Sequence, residues 1–99
     1  MIRHIVFFSA SKPEDVQTIQ DGLMMLRDIP HSQHFEVGRN LQSDGIAGAQ
    51  VDLVVYAEFA DEAALAAYKA DPIYTACIAR VRPLRELRIA ADFKATVDN

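Results

Sequence analysis

Two short segments most constrain what this chain can fold into. Residues 2–8 read IRHIVFF and residues 51–59 read VDLVVYAEF. Both are rich in β-branched and aromatic residues, as strands are. Neither alternates cleanly between apolar and polar. In the first, Ile5 and Phe7 point one way and Ile2, Val6 and Phe8 the other. In the second, Val54 and Tyr56 oppose Leu53, Val55, Ala57 and Phe59. A sheet covered by helices on one side should be polar on the other. Leaving Val6, Phe8 and their neighbours wet would forgo about 1.5–3 kcal/mol per large side chain. The second face is therefore expected to be covered, and no element of this chain is left over to cover it. A second copy, packed sheet on sheet about a two-fold axis, is the simplest cover. Edge strands pairing across that interface would close a barrel and remove exposed edges.

The remaining segments supply what such a sheet needs. After SASKPEDV, apolar residues recur at Val16, Ile19, Leu23 and Leu26, one face of an amphipathic helix. Ser11 and Glu14 have capping-box spacing, Pro13 falls in the first turn, and Pro30 ends the helix. SQHFEVGRN alternates, with Phe35 and Val37 on one side and His34 and Glu36 on the other, as a half-buried strand does. LQSDGIAGAQ reads as a mobile, glycine-containing connection. ADEAALAAYKA is a helix with Asp61 as N-cap, and DPIYTACIARVR another, with Asp71 as N-cap, Pro72 at its first position and Pro83 as its stop. Residues 84–95 alternate again, placing Leu87, Ile89, Ala91 and Phe93 on one face. The order is β-α-β-β-α-β with an added helix before the last strand. That is the ferredoxin-like α+β pattern: a four-stranded antiparallel sheet with its helices on one face.

The 99 residues suit one domain spanning 1–99, with a single core. A net charge of −4 gives no basic footprint for nucleic acid or an anionic membrane, so neither is expected as a partner. No apolar run approaches the roughly 20 residues that span a bilayer. The one cysteine, Cys77, leaves no internal disulfide, and no signal peptide is evident, so a cytoplasmic protein is expected.

One residue in the first strand is out of place. His4 sits in an apolar run, where an imidazole loses its water and must find a partner. Gly22 interrupts the apolar face of the first helix, to admit either a ligand or close packing. His31 and His34 lack a third convergent ligand and read as solvated polar residues rather than a metal site. Arg80, Arg82, Arg85 and Arg88 cluster around Pro83. Such a run is either a solvated face making weak ion pairs or a site for an anionic ligand. Cys77 reads as packing. No phosphate loop, Ser-His-Asp order or zinc spacing is present.

MIRHIVFF, FEVGRN, AEFADEAALAAYKADPIY and VRPL…ADF, in this order and spacing, resemble the stress-responsive dimeric α/β-barrel (Dabb) domain over nearly the whole chain. The resemblance implies a ferredoxin-like protomer that dimerises through its sheets into a barrel, with a cavity between sheet and helices. In this chain that cavity would be lined by His4, Val6, Phe8, Ile19, Leu23, Val55, Tyr68, Tyr74 and Asp92. The family includes plant stress-associated proteins, many bacterial members of unknown role, and a plant polyketide cyclase that closes a ring by aldol chemistry without metal or cofactor. The cyclase histidine on the first strand corresponds to His4, its tyrosine to Tyr68 and its last-strand aspartate to Asp92. Its second histidine, the expected base, corresponds to Tyr74. Histidine titrates near 6.5 and tyrosine near 10, so Tyr74 suits hydrogen-bond donation rather than proton abstraction.

The resemblance thus makes His4, Asp92 and Tyr74 the candidate catalytic residues, with no cofactor and no metal. Asp92 would fix the His4 tautomer and raise its pKa. The functional expectation is a homodimer that binds a small, largely apolar carbonyl compound. The alternatives are a cofactor-free enzyme using His4 and Asp92, and a structural stress-associated protein that acts through assembly. A cavity filled by Phe8 and its neighbours would favour the last.

Overall fold

The structure, a computed structural model, describes residues 1–44 and 50–97. The chain runs β1 (Ile2–Ala10), α1 (Val16–Leu23), β2 (His34–Arg39), β3 (Leu53–Phe59), α2 (Glu62–Ala70), α3 (Pro72–Val81) and β4 (Arg85–Lys94). The sheet order is β2-β3-β1-β4, and every neighbouring pair is antiparallel. This is the expected ferredoxin-like arrangement. The connection at 41–50, expected to be mobile, lies partly outside the described residues.

The caps decide how the helices start. Asp61 accepts from the Ala64 backbone N–H at 2.8 Å, and Asp71 from that of Ile73 at 2.8 Å. Each satisfies a donor that a helix N-terminus leaves open. The capping box expected at Ser11 and Glu14 does not form. Lys12 holds the N-cap position with no side-chain bond, and Ser11 Oγ points to Glu86 Oε2 at 3.4 Å. The first helix is also shorter than its apolar spacing suggests, because its ends tighten into 3₁₀ turns at Pro13–Asp15 and Met24–Asp28.

Gly22 is buried where α1 meets α3. A Cβ on it would stand 2.9 Å from Val81 Cγ2, so the glycine serves close helix packing.

The register shows which sheet face meets the helices. Ile2, His4, Val6 and Phe8 of β1 and Leu53, Val55, Ala57 and Phe59 of β3 are buried on the helix side. There they pack with Ile19, Leu23, Leu65, Tyr68, Cys77 and Val81. Val6 and Phe8 therefore need no second copy to cover them, contrary to the sequence-based expectation. The uncovered face carries Ile5 and Phe7 of β1, Val54 and Tyr56 of β3, and Ile89, Ala91 and Phe93 of β4. Phe7, Ile89 and Phe93 are 38%, 51% and 44% exposed on it. This face also carries Arg3, Glu58, His34 and Glu36, so it is apolar around Phe7 and Ile89 rather than throughout, and the apolar set left open is the other one.

Candidate active site between sheet and helices

β1 places His4 at the centre of the sheet, opposite Ala57 on one side and Asp92 on the other. The His4 side chain is 1% exposed. Its Nδ1 hydrogen-bonds Asp92 Oδ1, and this is its one such partner among the described residues. A carboxylate at Nδ1 fixes the tautomer with the proton there, which leaves Nε2 as an acceptor. Asp92 is held from its other side by Lys69 Nζ, 3.6 Å from Oδ2.

Two aromatic rings meet the imidazole edge-on: Phe59 at 6.2 Å and Tyr68 at 6.0 Å between centroids. Tyr68 in turn meets Tyr74 at 5.3 Å. The Tyr74 hydroxyl oxygen accepts from Arg88 Nη2 at 3.3 Å, so its own proton is left to donate. The Tyr68 hydroxyl is buried and has no hydrogen-bond partner among the described residues.

These groups border a cavity of about 340 Å³ between sheet and helices, within the range of small-molecule sites. Of the residues expected to line it, His4, Val6, Phe8, Leu23, Val55, Tyr68 and Tyr74 do so. Ile19 does not: it is fully buried in the core. Asp92 does not either. It stands behind His4 and borders a separate groove with Lys69 and Glu62. Sequence reasoning did not place Leu26, Cys77, Ile78 and Val81 in the wall. Their helical spacing marks an apolar face but not what that face meets. Arg82, Arg85 and Arg88 also reach the cavity, and the arginine run around Pro83 was the signal for them.

The electrostatics correct one expectation. Asp92 pulls the His4 pKa up, but burial outweighs it and holds the imidazole below its ordinary 6.5, with Lys69 and Arg88 adding to the depression. His4 is therefore neutral at pH 7. Burial pushes the Asp92 carboxyl up, yet the His4 hydrogen bond and the nearby positive charges prevail and keep it below 3.8. Burial raises the Tyr68 phenol well above its usual value, with Tyr74 and Cys77 adding to this, so Tyr68 stays protonated as a donor. Burial pushes the Cys77 thiol up to about 11, which makes it unreactive.

A pH dependence follows. A depressed histidine favours the fold while neutral. Its contribution is complete above the unfolded value of 6.5 and is lost as pH falls through the folded value. Asp92 acts in the same sense at lower pH, because its folded pKa lies under 3.8. Urea midpoints are expected to fall as pH drops from about 7.5 to about 5.5, and His4→Asn should flatten that slope. An unchanged slope in the variant would show that His4 is not the titrating group.

Fold and site together define an α+β protein with a ferredoxin-like sheet and a His–Asp pair beside a sheet-to-helix cavity. The stress responsive A/B barrel (Dabb) family model matches residues 2–95, and the chain belongs to that family. A Dabb family protein with a ferredoxin-like fold from Mesorhizobium loti is 28% identical, covering 97% of each chain with a TM-score of 0.79. A dimeric ferredoxin-like protein of unknown function from Thermobifida fusca is also 28% identical, covering 95% of this chain and 90% of its own, with a TM-score of 0.76. A protein from Nitrosomonas europaea described as a candidate antibiotic biosynthesis monooxygenase shares the fold at 18% identity, covering 98% of this chain and all of its own, with a TM-score of 0.80. Among curated proteins none matches the chain significantly.

Proposed function

We propose that this protein is a homodimer that binds a small, largely apolar carbonyl compound in the cavity between sheet and helices. One observation carries the ligand reading. His4, with Nε2 left as an acceptor, and Tyr68, whose buried hydroxyl has no hydrogen-bond partner among the described residues, both line a largely apolar cavity. A buried hydroxyl left unpaired is costly in a purely structural core, and a ligand oxygen brought against Tyr68 would satisfy it. Phe8 stands in the wall and leaves about 340 Å³ open, which speaks against a purely structural role. The apolar open sheet face supports the dimer, as does the dimeric state of the Thermobifida fusca relative.

The His4–Asp92 pair favours a second reading, cofactor-free proton abstraction. Nε2 of neutral His4 would take a proton from the carbon next to the ligand carbonyl. The electron pair left behind would move onto the carbonyl oxygen as an enolate, held by the O–H groups of Tyr68 and Tyr74.

Methyl nonyl ketone separates these readings. Binding should raise the thermal midpoint of the protein, and no rise would overturn the ligand reading. In deuterated water the enzyme should exchange the protons beside the ketone carbonyl, and His4→Gln should slow that exchange by about a hundredfold or more. Binding without exchange would leave a binding protein.

A further inference from the structure

β4 carries a device that the cavity description does not use. Residues three apart on a strand face opposite sides of the sheet. Arg85 and Arg88 nevertheless both line the cavity. The register explains this: Phe8 pairs with Arg88 and Ser9 with Leu87, but Ala10 pairs with Arg85, passing over Glu86. A β-bulge of this kind re-aims a side chain, and here it turns Arg85 to the side of Arg88. Ser9 Oγ accepts from the Leu87 N–H at 3.1 Å and pins the bulge. Arg82, which caps the C-terminus of α3, joins them at the cavity.

Three cations gathered this way repel one another. Burial, then Arg88 and Arg82, hold the Arg85 guanidinium below its ordinary 12.5. Carboxylates are not scarce in a chain with 14 acidic and 10 basic residues. Yet among the described residues no ion pair is formed by Arg82, Arg85 or Arg88. The one side-chain partner among them is the Tyr74 hydroxyl. Like charges assembled at a cavity without counterions suit an anion brought by the ligand.

We propose that the β4 bulge builds an oxyanion site at the cavity, so that the ligand carries a carboxylate or phosphate on its apolar body. This rests on the cavity being a ligand site and narrows its substrate class. Arg88 and Asp92 lie four residues apart on β4, about 13 Å along the strand. The anion at Arg88 therefore lies next to the Tyr74 hydroxyl, to which Arg88 donates at 3.3 Å, and away from Asp92.

Three probes of equal chain length test it: undecanoate, undecyl phosphate and methyl nonyl ketone, each titrated calorimetrically at low salt. At least one anion should bind about tenfold more tightly than the ketone, and added salt should weaken that preference. The tighter of the two anions identifies the natural group. Arg88→Gln, at an exposed position, and Arg85→Gln should each weaken anion binding more than ketone binding and so erode the preference. A ketone that binds as tightly as both anions, or a preference that survives both variants, overturns the oxyanion site and leaves the ligand cavity standing. If none of the three probes binds, both readings fall.

Discussion

Replacing Phe7 and Ile89 with aspartate is expected to turn the proposed dimer into a folded monomer. The two residues are neighbours across β1 and β4 on the uncovered sheet face, and Val54 lies on the far side of Phe7. The protomer measures 34 × 31 × 15 Å, and one of its broad sides is this face. Such a side is ample for the roughly 800 Å² per partner that a specific interface buries. A two-fold axis makes each substitution count twice. Fully burying a large apolar side chain is worth about 1.5–3 kcal/mol, and these two are already partly covered within the protomer. Four such side chains across the interface still contribute about 3–6 kcal/mol, before any cost of desolvating carboxylates. At about 1.4 kcal/mol per tenfold, the dimer Kd should rise at least a hundredfold. Sedimentation should show wild type at twice the chain mass of 11.0 kDa and the variant at one. The circular dichroism of the variant should be unchanged, since both residues are exposed in the protomer. A variant that still sediments as a dimer would place the interface elsewhere.

The sequence pattern of the two central strands leaves the open face ambiguous. Alternation in β1 and β3 separates two apolar sets but does not say which set meets the helices. The last strand held the answer. Its apolar residues Leu87, Ile89, Ala91 and Phe93 fall on the open face, while Arg88 and Asp92 fall on the helix side. In an ordinary one-sided sheet the polar set would face solvent. The inversion arises because the space under this edge holds a polar site and the opposite face is apolar.

The centre of the site was legible because His4 broke an apolar run, and a buried imidazole has to be paired. The Asp92 partner came from resemblance and was then placed by strand register, directly across from His4. What stayed hidden depended on backbone irregularity or on a balance of opposing effects. The bulge that turns Arg85 inward is a register shift at Ser9 and Ala10, and no residue type announces it. The sign of the His4 shift is set by burial against a carboxylate, two opposed effects that sequence cannot weigh. The helix caps divide in the same way. Asp61 and Asp71 bond locally and were foreseeable, whereas Ser11 is drawn to Glu86, 75 residues away.

Tyr68→Phe is expected to make the protein more stable and less able to bind. Tyr68 is fully buried, and its hydroxyl has no partner among the described residues. Its ring packs on Phe59 at 4.9 Å, on Tyr74 at 5.3 Å and on His4 at 6.0 Å between centroids. Phenylalanine preserves those contacts. Removing a desolvated, unpaired hydroxyl recovers about 1–3 kcal/mol. For a chain of this size that corresponds to a thermal midpoint higher by at least about 4 °C. A hydroxyl kept for structure would give the opposite sign, because its loss would break a bond on which the fold depends. A hydroxyl kept for a ligand oxygen gives the gain in stability together with a loss of affinity for methyl nonyl ketone of about tenfold. Both quantities come from one pair of thermal scans, with and without the ketone. A destabilised variant with unchanged affinity would remove Tyr68 from the site and make it a core residue. A stabilised variant with weakened binding is the pattern of a protein that gives up stability to hold a polar group ready for its ligand.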